Sequence, residues 1–194
     1  GTEFRLGSAF YVFQIASATL FGDRPDVMAY PDLLTSILAI PLLYAFLRLY
    51  FDGKIAVSLT ALFAVSLYAV KYSRFAWNPN SLPFWTLLSV YALHRVLLCG
   101  GEVKKRWAVA LGGAIGIGAQ LHTLTLLLLP TATIAAFIFL AVRREKGVGK
   151  IFLIVFSVAA LLNGGQIVSE IQTGGKNISA FFSAVGTKGG RGSG

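Results

Sequence analysis

Long apolar stretches separated by short polar turns dominate the chain, and they fall at residues 33–51, 55–70, 82–99, 107–142 and 151–168. A helix that crosses a bilayer needs about 20 mostly apolar residues, with roughly 17–25 observed. The stretch 33–51 meets this, with Pro41 as an expected kink and Arg48 placed to snorkel near its end. The stretch 55–70 is slightly short. The third, 82–99, carries His94 and Arg95 close to its end, which reads as a snorkelling pair.

The stretch 107–142 holds no Asp, Glu, Lys or Arg over 36 residues. As one helix it would be roughly 54 Å long, too far beyond a hydrocarbon core of about 30 Å for tilt alone. Charge selects the alternative. Lys104, Lys105 and Arg106 precede the stretch, and Arg143, Arg144, Lys146 and Lys150 follow it. One crossing would separate these basic clusters across the membrane; two crossings with a turn near Gln120-Leu121-His122 put both on the cytoplasmic side. Six crossings follow between Leu33 and Val168. Gly112 and Gly116 in the fourth form a small-xxx-small pattern that lets helices approach closely, a packing feature. Residues 6–21 are uncharged and aromatic-rich but broken by Ser8, Gln14, Ser17 and Thr19. They predict a helix lying at the outer interface or tucked against the bundle.

Composition agrees: of 194 residues, 56% are hydrophobic and only 13% charged, and the mean hydropathy is +0.72. Soluble domains carry about 25% charged residues. A soluble globular domain, a disordered chain and a disulfide scaffold are excluded, and the fold class is an all-α polytopic membrane bundle. It forms one transmembrane module over residues 1–186, with a Gly-rich tail at 187–194. The net charge of +9 does not point to nucleic acid, because the basic residues sit in turns between apolar runs, facing anionic lipid and cytoplasm. The single Cys99 excludes an internal disulfide and any Cys-rich metal site, and His94 and His122 have no ligand spacing.

The polar groups with candidate chemistry gather on the outer side of this topology: Arg5, Arg74, Trp77, Asn78, Asn80, His122 and Glu170. The run Tyr72-Ser73-Arg74-Phe75-Ala76-Trp77-Asn78-Pro79-Asn80-Ser81 carries the most information. An Arg at the membrane surface holds a phosphate through two charge-assisted hydrogen bonds. Indole faces stack sugars or cover lipid head groups, and Asn80 or Ser81 is expected to cap the next helix with Pro83 in its first turn. The same composition also fits an aromatic-anchored turn in which Arg74 meets a bulk-lipid phosphate. His122 lies among polar residues inside a long apolar run. That position suits either a group facing a bundle interior or water-filled cavity or a turn histidine that satisfies a backbone carbonyl. Glu170 reads as a solvated loop carboxylate.

Three phrases together resemble glycosyltransferase family 39, which includes protein O-mannosyltransferases and lipid A aminoarabinose transferases. They are Arg5-Leu6-Gly7-Ser8-Ala9-Phe10-Tyr11, the run from Tyr72 to Phe84, and Gly116 to His122 followed by an apolar helix ending in Arg-Arg. The stretch from Gln166 to Asn177 is similar to the family's outer loop after its last conserved crossing. The resemblance implies a GT-C fold in the plasma (inner) membrane, with the active face periplasmic or extracytoplasmic. It implies inverting transfer of a sugar from a polyprenyl-phosphate carrier to a lipid, glycan or protein acceptor.

Carried over by position, Arg74 matches a family arginine and Arg5 lies where a basic residue near the donor phosphate is expected. His122 sits in the family's turn between two crossings. Arg5, Arg74, Trp77, Asn78 and His122 are thus the expected substrate-binding residues. The lipid-linked sugar is a substrate, no resident cofactor is expected, and a divalent metal is left open. The family's acidic first-loop motif, which serves as base, is expected upstream of Gly1, so the chain reads as part of a longer enzyme with no catalytic carboxylate assigned. Asn78 and Asn80 stand where mannosyltransferases have an acidic residue. Gly-rich and Pro-broken segments also fit a lipid or solute transporter, against which stand the missing mid-membrane carboxylate and the missing repeat.

Overall fold

The computed structural model describes residues 6–189. Among the described residues ten helices follow one another: α1 (Ala9–Phe21), α2 (Tyr30–Leu47), α3 (Gly53–Ala64), α4 (Leu67–Tyr72), α5 (Leu82–Leu98), α6 (Gly101–Leu121), α7 (Thr123–Val142), α8 (Val148–Leu162), α9 (Gly164–Thr173) and α10 (Lys176–Gly189). No strand occurs among the described residues. Single tight helical turns at Val27–Ala29 and Asn78–Ser81 lead into α2 and α5. The result is a helical membrane bundle. Helix α10 runs through Gly189, so the first three residues of the expected Gly-rich tail are helical.

Among the described residues three segments are long and apolar enough to cross a bilayer: Val27–Leu47, Asn78–Leu98 and Thr123–Val142. A fourth counts if α8 and α9, bent by 69° at Asn163, are one broken span. The six expected crossings are thereby reduced by length, for three local reasons. The run 55–70 breaks at Val65-Ser66, where the Ser66 hydroxyl accepts from the Ala69 N–H and starts α4. Helix α6 begins with its charged turn at Glu102–Arg106, so its apolar part covers only the remainder. The run 151–168 turns at Asn163-Gly164-Gly165 instead of continuing. The expected break at His122 is present: α6 ends at Leu121, and His122 is extended at φ −156°. Pro41 and Pro130 lie inside α2 and α7.

Helices α5 to α8 form the core, with α6 packed against α5, α7 and α8. Ala92, Val96, Ala108 and Leu111 are fully buried there, with Phe137 and Val155 against them. Lipid tails are as apolar as these side chains, so close van der Waals fit holds the helices together more than removal from water does. Gly112 shows this directly. A Cβ there would stand 2.5 Å from the Val155 carbonyl oxygen, and one on Gly116 would stand 3.2 Å from Ala159 Cα. The small-xxx-small pattern is the contact surface between α6 and α8.

The bundle has two chemically different ends. One carries Arg48, whose guanidinium donates to the Phe51 carbonyl at 3.0 Å, and Asp52, which caps α3 by accepting from Ile55 N. Nearby, Tyr50 Oη meets His94 Nδ1 at 3.3 Å, and Arg95 lies over the Trp107 ring at 5.8 Å. Glu102 pairs with Lys105, which holds its carboxyl below the usual carboxylate range by hydrogen bonding and charge. The opposite end gathers the starts of α2, α5 and α7 and the ends of α6 and α8.

Candidate functional site

At that opposite end the chain between α4 and α5 forms a pinned loop. Its first anchor is Asp32, in the first turn of α2 and only 3% exposed, whose Oδ2 accepts the Trp77 backbone N–H at 3.2 Å. Its second is Asn80, buried, whose Nδ2 donates to the Phe75 carbonyl at 2.7 Å while its own N–H donates to Trp77 O at 2.9 Å. Asn80 was expected to cap α5 from outside; its side chain instead folds back across the loop, and Ser81 at the N-cap makes no side-chain cap bond. Pro83 does lie in the first turn.

This pinning fixes a cluster of rings. Tyr72 stacks with Trp77 at 6.0 Å between centroids, Phe75 stacks with Trp77 at 6.3 Å, and Tyr68 lies 4.3 Å from Tyr72. Trp77 stays half exposed, as an interfacial indole does. Arg74 is exposed within the cluster, and no side chain among the described residues pairs with it. Asn78, half-buried, opens the turn into α5 with its amide free of protein partners among the described residues. Beneath the loop, a cavity of about 380 Å³ opens between α2, α4 and α5, lined by Leu33, Ile40, Phe63, Tyr72, Trp77 and Phe84. Such a volume is in the range of small-molecule sites.

His122 occupies the same end of the bundle, on the junction of α6 and α7. Its Nδ1 accepts the Leu124 N–H at 3.1 Å, so the imidazole serves as the N-cap of α7. An accepting Nδ1 carries no proton, which places the N–H of the neutral ring on Nε2. That donor has no partner among the described residues. No hydrogen bond or ring contact among the described residues joins His122 to the 74–78 loop. Arg5, also expected near the phosphate, lies outside the described residues. Glu170, on α9, accepts the Ile178 N–H at 3.3 Å through Oε2.

Two residues that organise this end were not singled out from the sequence. Asp32 opens an apolar run and looks there like an ordinary outer-loop charge. Gln120 is 4% exposed and ties three helices together: Oε1 accepts the Ala9 N–H at 3.2 Å, and Nε2 donates to Gly116 O at 3.2 Å and Leu162 O at 3.0 Å. Asn163 reinforces it by donating to Gly116 O at 3.0 Å and Ala159 O at 2.8 Å. Gly7 passes so close to Gln120 that a Cβ there would collide with its side chain. Polar residues within apolar runs were the available signal, read at Gln120 only as part of the His122 turn. Among the described residues, no three His, Cys, Asp or Glu side chains converge as a metal site.

No curated protein and no solved structure gives a significant match to the chain. The family model described as dolichyl-phosphate-mannose-protein mannosyltransferase matches residues 9–163, which spans α1 to the bend after α8 and includes the whole pinned loop. With a helical membrane bundle, and with Asp32, Arg74, Trp77 and His122 all inside that match, the chain belongs to the dolichyl-phosphate-mannose-protein mannosyltransferase family of membrane glycosyltransferases.

Proposed function

We propose that the chain works in transferring a sugar from a polyprenyl-phosphate carrier to a hydroxyl-bearing acceptor at the Asp32 end of the bundle. The observation that carries this reading is Arg74: an exposed guanidinium without a protein partner among the described residues, on a loop fixed by Asp32 and Asn80. A cation held in place at the edge of a membrane suits an anion that is itself held in the membrane. In the transfer, the acceptor oxygen bonds to the anomeric carbon from the face opposite the carrier, inverting it. The bond to the phosphate oxygen breaks, and the carrier phosphate leaves with the electron pair. Arg74 offers two parallel donors to that growing charge. Trp77 covers one side of the sugar–phosphate region, the Asn78 amide supplies a neutral hydrogen-bonding group, and His122 Nε2–H adds a donor at the same end. The hydroxyl proton goes to a carboxylate base.

The basic end, with Lys54, Lys104, Lys105, Arg106, Arg143, Arg144, Lys146 and Lys150, then faces the cytoplasm. The Asp32 end faces the periplasm or cell exterior across the inner membrane. The test is transfer from a radiolabelled polyprenyl-phosphate sugar by the purified enzyme. Arg74→Ala is expected to lower kcat by about a hundredfold or more, with Arg74→Lys intermediate because it loses the bidentate fork. Full activity in Arg74→Ala removes the loop from the reaction.

A further inference from the structure

A second cavity lies on the other flank of the bundle. It is a groove of about 580 Å³ between α6, α7 and α8, roofed by α9 and the start of α10. Its polarity is graded. Ile115, Leu126, Ile134, Phe152 and Phe156, with Thr133 as the one polar side chain among them, line the part between α6, α7 and α8, whereas Asn163, Gln166, Glu170 and Asn177 line the end at α9 and α10. The bend at Asn163 produces this gradient. It turns α9 by 69° out of line with α8, so that Gln166, Ile167, Glu170 and Ile171, at helical positions i, i+1, i+4 and i+5, present one mixed face over the groove. A helix that only rested on a bilayer would turn a purely apolar face inward. This one sets a carboxylate and a carboxamide above an apolar channel.

Among the described residues, Glu170 is the only charged one in the lining. One of its oxygens accepts the Ile178 N–H, and the other has no partner among the described residues. The mouth therefore repels a phosphate and favours a head group that donates hydrogen bonds, such as a hydroxyl or an amine. We infer that this groove binds an amphiphile with an apolar tail along α6–α8 and an uncharged, hydroxyl-bearing head at Glu170 and Gln166. The site is electrostatically the opposite of the Arg74 loop, which is cationic and takes an anionic head. If the transferase reading holds, the groove makes the acceptor a membrane-embedded lipid with a free hydroxyl; the binding site itself stands without that reading.

The experiment is native mass spectrometry of the purified full chain in detergent, with dioleoylglycerol and dioleoylphosphatidic acid as the two probes. Dioleoylglycerol is expected to be retained over phosphatidic acid. Glu170→Gln should weaken that retention roughly tenfold, because a neutral acceptor replaces a charged one, and Glu170→Lys should invert the preference. Ile134→Trp, which fills the groove while keeping an apolar surface, should abolish retention without altering helical content or melting temperature. Arg74→Ala should leave dioleoylglycerol retention unchanged, so a failed transferase reading and a failed groove give different results. Equal retention of both lipids, insensitive to Glu170→Lys and Ile134→Trp, means ordinary boundary lipid only and overturns the inference. Loss of retention on Arg74→Ala overturns it as well, since the probe would then sit at the loop.

Discussion

The hydrogen bond from Trp77 N–H to Asp32 Oδ2 joins positions 45 residues apart and decides whether the Arg74 loop has one conformation. Asp32→Ala leaves the Trp77 N–H without an acceptor in a partly buried place, where an orphaned donor costs about 1–3 kcal/mol. Asp32→Asn keeps a carbonyl oxygen at the same reach and should cost less than about 1 kcal/mol. For a chain of this length each kcal/mol moves the melting temperature by about 2–4 °C. Thermal unfolding in detergent should thus show Asp32→Ala falling by roughly 2–12 °C and Asp32→Asn by well under half of its drop. In the transfer assay Asp32→Ala should raise KM for the lipid-phosphate donor, with Asp32→Asn restoring it, because the bond positions Arg74 without touching substrate. An unchanged melting temperature and an unchanged KM in Asp32→Ala would refute the reasoning: the anchor would then be neither structural nor positioning.

Gly112→Leu forces a side chain against the Val155 carbonyl and should destabilise by about 1–3 kcal/mol through overpacking, read as earlier unfolding; an unchanged midpoint would mean that α6 and α8 are not in contact. His122→Ala removes the cap of α7 and should cost about 0.5–2 kcal/mol. His122→Asn should restore stability, and if Nε2–H serves the donor phosphate it should not restore transfer. Cys99, the only cysteine, follows α5 at the basic end. A membrane-impermeant maleimide added to intact spheroplasts should leave it unlabelled until the membrane is opened, while Asn78→Cys in a Cys99→Ser background should label at once. The reverse pattern would invert the proposed orientation.

Much of this architecture is legible in the chain because membrane helices announce themselves by length and composition. The run 82–99 and α5 differ by one residue, and the turn at His122, deduced from two basic clusters, falls where α6 gives way to α7. What was not legible depends on partners. The apolar run 55–70 gives no hydropathy signal at Ser66, yet its hydroxyl caps a new helix there. Asn163-Gly164-Gly165 is a helix-stop pattern, but apolar residues on both sides outweighed it. Asp32 and Gln120 are each a single polar residue among apolar neighbours, and only the fold brings Trp77, Ala9 and Leu162 to them. At the candidate site, the chemistry of Arg74 and Trp77 could be read from residue type, whereas the loop's rigidity could not. For His122 a backbone role was one of two alternatives left open, but as a donor to a carbonyl; the ring instead accepts the Leu124 N–H and caps α7.

The three-way grip of Gln120 also sets an order in time. Ala9 is made early, but its acceptor comes 111 residues later and the Leu162 carbonyl later still. At about 5–20 residues per second, roughly 8–30 s of synthesis separate α1 from the end of α8. Until Gln120 is made α1 has no tie to α6, and Gly7 has nothing to pass beneath. Helix α1 is therefore fastened to α6 long after it is made, and the full grip closes only with the end of α8. A ribosome stalled before Asn163 should carry a nascent chain whose start is still open to proteases, and release past the bend should close it.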